Sequence, residues 1–183
     1  MNEIERLKLF FRMLELFLVD NGIEEIVEGY SEEEIITVEK QYNCQLPLAY
    51  RLFLKTMAKQ DLSVFDSLDF QLDGIDYARE TAKELTTDLG FEVEKDAFIF
   101  TEWQGYRFIY FILDGNENPI TKKCQECSST NIPPEIIYEG LFTDWLCRRI
   151  RISIEILYRL RKISNKKQNL EQLEMIRIIP LQK

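Results

Sequence analysis

The chain has 183 residues, 45% hydrophobic and 30% charged, with a formal net charge of −9 at pH 7; this is the makeup of one globular unit with a core of its own. It contains no histidine, which excludes Ser-His-Asp and Cys-His catalysis, His-ligated metal sites and most proton-transfer designs at neutral pH. Charge is unevenly divided. Residues 148–183 hold ten Lys or Arg against three Glu, whereas 1–147 hold 13 basic against 29 acidic residues. An acidic body argues against a broad nucleic-acid surface and for steering toward a basic protein partner.

Residues 4–19 place Ile4, Leu7, Phe10, Phe11, Leu14 and Leu18 at steps of three and four, predicting an amphipathic helix stopped at Asn21-Gly22. Charged residues interrupt its apolar positions, so it reads as part of the mature, cytoplasmic protein rather than a secretion signal. Leu9, Leu16 and Phe17 widen the apolar face, so most of this helix is expected to be covered. A second helix begins at Ser31, with Glu34 completing a capping box and Glu32 and Glu33 favoured by the helix dipole. After the break Asn43-Cys44-Gln45, Leu46-Pro47 opens a third helix whose apolar face is Tyr50, Phe53, Leu54 and Met57, with Pro47 in the first turn.

Residues 62–72 shift toward period two and predict a strand. Asp73 then reads as the cap of a helix from Gly74 to about Asp88, stopped by Gly90. Residues 97–103 and 106–113 flank Gln104-Gly105 as an antiparallel hairpin, and 119–122 read as a third short strand. Residues 124–135 read as loop. A long helix follows from about Asp144 to Ile163, capped by Thr143. No apolar run approaches the ~20 residues of a membrane span, and no internal repeat is present.

Three groups of residues are candidates for chemistry. Cys124-x-x-Cys127 lacks a second pair or histidines to complete a zinc site, so free thiols are expected and no metal or cofactor is assigned; Cys44 and Cys147 read as small core residues. The acidic series Asp61, Asp66, Asp69, Asp73 and Asp76 is either a solvated run of turns and a helix cap or a negative patch for a basic partner. Glu102, Trp103 and Tyr106 surround the hairpin turn, either as binding hot spots or as residues packing across strands. Arg148, Arg149 and Arg151, with Arg159, Arg161 and Lys162, read as the polar face of the last helix.

The order of these parts is the informative feature. Gly29-Tyr30-Ser31-Glu32-Glu33-Glu34-Ile35 leads to Val38-Glu39, Leu46-Pro47, Tyr50-Arg51 and Phe53-Leu54, then an aromatic hairpin, then Leu141-Phe142-Thr143-Asp144-Trp145-Leu146. This order resembles the SUKH superfamily of yeast cell-wall regulators and bacterial immunity proteins. The resemblance implies an α+β fold of helices on a mostly antiparallel sheet, closed by a long C-terminal helix. It also implies a non-enzymatic cytoplasmic protein that binds and neutralises a toxin domain, often a nuclease. From the acidic series and the hairpin turn, rather than from the resemblance, Asp66, Asp69, Asp73, Asp76, Glu102, Trp103 and Tyr106 are the expected contacts. The alternatives are a regulatory or scaffolding protein that binds another cellular protein, and a histidine-free enzyme with converging carboxylates in a deep pocket. The expected division is an N-terminal helix (1–22), an α+β core (23–150) and a basic helical extension (151–183), all one unit, with the extension a possible homodimer contact.

Overall fold

The computed structural model describes residues 2–20, 28–59, 70–126 and 135–161, with 89, 135 and 155–161 described by backbone alone. Helices α1 (Glu3–Asp20), α2 (Glu32–Gln41), α3 (Leu48–Met57), α4 (Ile75–Leu89) and α5 (Phe142–Arg161) surround four strands: β1 (Ala97–Trp103), β2 (Arg107–Ile112), β3 (Ile120–Gln125) and β4 (Glu135–Leu141). The strands pair antiparallel in sequence order. The fold is α+β, as the residue patterns and the resemblance both imply.

Period-two alternation gives the sheet two buried faces. One carries Phe98, Phe100, Ile109 and Phe111 against α1, α3 and α5; the other carries Ile99, Phe108, Tyr110 and Cys124 against Ala78, Ala82 and Leu85 of α4. Cys124 is fully buried in β3. This corrects its expected place in an exposed loop, while Cys127 lies outside the described residues. Burial pushes the Cys147 thiol up to about 12, a packing role rather than a reactive one.

Local signals set several boundaries. Ser31 Oγ accepts the Glu34 N–H at 3.2 Å and the Glu34 carboxylate accepts the Ser31 N–H at 2.7 Å, the expected capping box. Gly90 ends α4 in the left-handed region at φ 68°. Pro47 occupies the cap of α3 rather than its first turn, one residue earlier than expected.

Other boundaries are set from a distance. Asp73 sits exposed in a 3-10 turn, Leu72–Gly74, and makes no cap; Gly74 holds the capping position without a side-chain bond. The strand expected at 62–72 is not seen at Phe70–Leu72, and its remainder lies outside the described residues. Thr143 falls inside α5, and its N–H donates to Asn118 Oδ1 at 3.1 Å, while the Phe142 N–H donates to the Pro119 carbonyl at 2.8 Å. Asn118 therefore caps α5 in Thr143's place, and its amide also donates to Glu3 of α1 at 2.6 Å. β4, read as loop at its start and otherwise unassigned from sequence, completes the sheet.

Between α2 and α3, Glu39 accepts the Leu46 N–H at 2.8 Å and pairs with Arg51 at 2.6 Å, and Arg51 and Lys55 both pair with Glu32. On α1, Phe17 is buried as expected, but Leu9 and Leu16 are exposed, which corrects the expected coverage of that face.

Gly29 lies against the end of α3. The Tyr30 N–H donates to the Leu54 carbonyl at 2.9 Å and the Lys59 N–H to the Glu28 carbonyl at 3.0 Å. A Cβ on residue 29 would fall inside the Lys55 carbonyl. Gly29→Ala is therefore expected to cost about 3 kcal/mol, near the upper end of overpacking substitutions, read as a lowered urea midpoint with an unchanged slope.

The Ser31 N–H, followed by Lys59, holds the Glu34 carboxyl below the usual carboxylate range, and Lys55 and Arg51 do the same for Glu32. The folded chain then binds fewer protons than the unfolded chain just below the ordinary carboxylate pKa. This contribution to stability is complete at neutral pH and is lost as pH falls through the lowered values. Glu34→Gln keeps the capping geometry without the titration; its urea midpoint should fall less than wild type between about pH 7 and about pH 3.

Candidate functional site

α4 binds the sheet through its small residues: Ala78 and Ala82 are both 2% exposed. Side chains this short let the helix lie close to the strands and turn its other faces to solvent. Asp76, Glu80, Glu84 and Asp88 recur every four residues and are all exposed. Four residues advance about 6 Å along a helix, so the carboxylates form one row. Among the described residues none of the four is in a salt bridge.

Asp76 starts the row and is anchored. Its carboxylate accepts the Tyr42 hydroxyl at 2.6 Å and the Gln41 amide at 3.3 Å. Burial first, then the Asp76 hydrogen bond, raises the Tyr42 pKa, so this phenol stays a donor. Arg79 stacks over the Tyr42 ring at 5.0 Å from its centroid. This links the C-terminal end of α2 to the first turn of α4.

Beside the row runs an open groove of about 1010 Å³, lined among others by Arg79, Lys83, Glu84, Asp88, Glu92 and Ile99. Its charged lining residues are exposed, whereas Val93 is half-buried and Ile99 buried. Among the described residues, the carboxyl whose pKa burial raises, Asp144, lies elsewhere, in the first turn of α5 near Arg6 and Glu3. The groove is open to solvent and lined mainly by charged and polar side chains.

The expected contacts separate into three groups. Asp66 and Asp69 lie outside the described residues. Asp73 and Asp76 are exposed at the start of α4, and Asp76 joins the carboxylate row. Glu102, Trp103 and Tyr106 are half-buried on the hairpin, and Trp103 packs against the main core. Glu102 accepts the Gly105 N–H at 2.9 Å across a turn in which Gln104 and Gly105 both have positive φ, 51° and 78°. The Arg107 guanidinium lies 3.7 Å from the Trp103 ring centroid, and the Tyr106 ring centroid is 6.1 Å from that of Trp103. Glu102 therefore holds the turn closed, and Trp103 and Tyr106 pack with Arg107 rather than project from the tip. Sequence reasoning missed Glu80, Glu84, Asp88 and Glu92, although the four-residue repeat from Asp76 was the signal that could have found them.

The geometry defines a class: an α+β domain in which a helix-turn-helix element and a long closing helix cover one face of a four-stranded antiparallel meander, and one acidic helix covers part of the other. The chain belongs to the SMI1 / KNR4 family (SUKH-1), whose family model matches residues 29–167. That span opens at Gly29 and takes in all of α5. Comparisons with curated proteins and with solved structures return no match.

Like charges four residues apart weaken an exposed helix by roughly 0.2–0.5 kcal/mol per pair, and opposite charges strengthen it by as much. Glu84→Lys converts two such pairs, Glu80–Glu84 and Glu84–Asp88. It should raise stability by about 1 kcal/mol at low ionic strength, measured by urea unfolding.

Proposed function

We propose that this protein is an immunity protein that captures a cognate toxin domain in the cytoplasm and covers its active site without chemistry of its own. Family membership supports a protein of this type. The observation that carries the finer reading is the row Asp76, Glu80, Glu84 and Asp88, exposed and without salt bridges among the described residues. A nuclease cleft must attract phosphate and is therefore lined with cations. A line of carboxylates about 6 Å apart, beside a groove that can receive side chains, offers such a cleft a competing anion. Asp73 extends the row at its N-terminal end, and Asp66 and Asp69, close by in sequence, are proposed to contribute to the same negative field. Glu102, Trp103 and Tyr106 shape the hairpin and make at most peripheral contacts.

Because such charges act mainly on encounter, the row should govern association rate and salt sensitivity more than dissociation. The test is co-expression and pull-down with the toxin domain encoded by the neighbouring gene, read beside rescue of growth. The triple variant Glu80→Lys, Glu84→Lys, Asp88→Lys should fold, lose rescue and associate roughly ten- to a hundredfold more slowly at low ionic strength. Unchanged association would remove the row from the interface. Binding by wild type without rescue would assign the protein a regulatory or scaffolding role instead.

A further inference from the structure

The sheet ends at β4, and among the described residues no strand pairs with its outer edge. α4 packs over β1 and β2, so among the described residues the β3–β4 half of that face is left open. Three large apolar side chains stand there: Ile120, Ile136 and Tyr138, at 48%, 37% and 69% exposed. Edge strands usually protect themselves with unbalanced charge. Here Glu139 is neutralised within the chain by Lys123 at 3.2 Å and Arg148 at 3.1 Å. Tyr138 lies opposite Lys122 in the β3–β4 register, with the ammonium 5.3 Å from its ring centroid. Among the side chains described on β4, the one charge, Glu139, is thus paired within the chain, and the edge presents an exposed apolar pair.

A register shift against Thr121 and Lys122 skips Glu139, and Gly140 has φ 91°, so regular pairing is confined to the first part of the strand. Symmetry then narrows the choice of partner. A two-fold axis normal to the sheet keeps every side chain on its own face, so in an antiparallel self-pair it must pass through a residue position. Placed at Ile137, it sets Ile136 opposite the second copy's Tyr138, and Tyr138 opposite its Ile136. Both exposed apolar residues are covered at once, in the aromatic-to-branched pairing that antiparallel strands favour.

We propose that β4 is a self-association strand: two copies of this chain join their β4 edges antiparallel about Ile137, extending the four-stranded sheet to eight strands. The contact is separate from the acidic row on α4.

Sedimentation velocity of the full chain over about 1–200 μM, a span bracketing micromolar affinity, reads the assembly directly. Wild type should move from monomer to dimer. Tyr138→Lys should weaken the dimer at least tenfold, and Ile136→Lys with Tyr138→Lys should leave only monomer, both with unchanged far-UV circular dichroism because the substituted side chains are at the surface. Leu9→Lys with Leu16→Lys, on the exposed face of α1, should leave the dimer intact. A wild-type chain that stays monomeric throughout the range, or a dimer that survives the β4 substitutions, would overturn the proposal. So would a dimer lost only on changing α1.

Discussion

Tyr50 is the point at which the fold is tied together. Its ring is fully buried and lies 5.4–5.9 Å from Phe98, Phe100, Phe111 and Phe142, so one side chain of α3 touches β1, β2 and α5. Phe100 continues the contact to Trp145 at 5.4 Å, and Phe53 reaches Phe70 at 5.4 Å. Most of these rings meet edge to face, an arrangement worth roughly 0.5–1.5 kcal/mol per pair beyond the area buried. Such geometry also fixes orientation, because a tilted ring pair has few equivalent rearrangements. The helix-turn-helix element can therefore be braced by polar links, Glu39 to Leu46 and Arg51, without those links having to supply most of the stability.

The two faces of the sheet are built to different standards. The Tyr50 face is thick and aromatic and is covered by α1, α2, α3 and α5, whereas the α4 face rests on Ala78, Ala82 and Leu85 and is covered only in part by the described residues. A helix held by small residues on one side is free to carry almost any composition on the other. That freedom is what lets α4 carry a row of like charges whose mutual repulsion opposes its own stability. The core tolerates this because α4 is also secured at its start, through Asp76 and Tyr42, and at its end by Gly90.

Where a boundary depends on neighbours in sequence, it was legible. The Ser31–Glu34 box, the stop at Gly90 and the hairpin around Gln104-Gly105 are each set by residues within a few positions. Where it depends on a distant group, it was not. Asn118 caps α5 across 25 residues, so Thr143, adjacent to the helix, looked the better cap. Gly29 was visible as part of a family pattern, but the reason for it, the Lys55 carbonyl, exists only once α3 is folded back. β4 contains Gly140 and follows a Cys-, Ser- and Pro-rich stretch, and its pairing with β3 overrides that weak local preference. For the candidate site, the sequence left Trp103 and Tyr106 open between hot spots and cross-strand packing, and the Arg107 guanidinium stacked on Trp103 is a contact it did not show. The carboxylate row was present in the sequence as a four-residue repeat and became meaningful only when the opposite face of α4 proved to be the buried one.

The placement of α4 also bears on how the two proposed surfaces combine. A two-fold axis normal to the sheet at β4 leaves both copies of α4 on the same side of the joined sheet. Each α4 lies over β1 and β2, with β3 and β4 between it and the axis, so the acidic rows stand toward the two outer ends. Neither row is covered by the strand pairing. Self-association and partner capture then use different surfaces, and a dimer offers two capture sites facing the same way. A single toxin domain would experience one row, with the other copy's charge largely screened beyond a Debye length of about 8 Å at physiological salt. Two domains tethered to one another would be held by both, with the second binding step made intramolecular. Strand pairing at β4 would thus raise avidity without changing a single contact at the acidic helix.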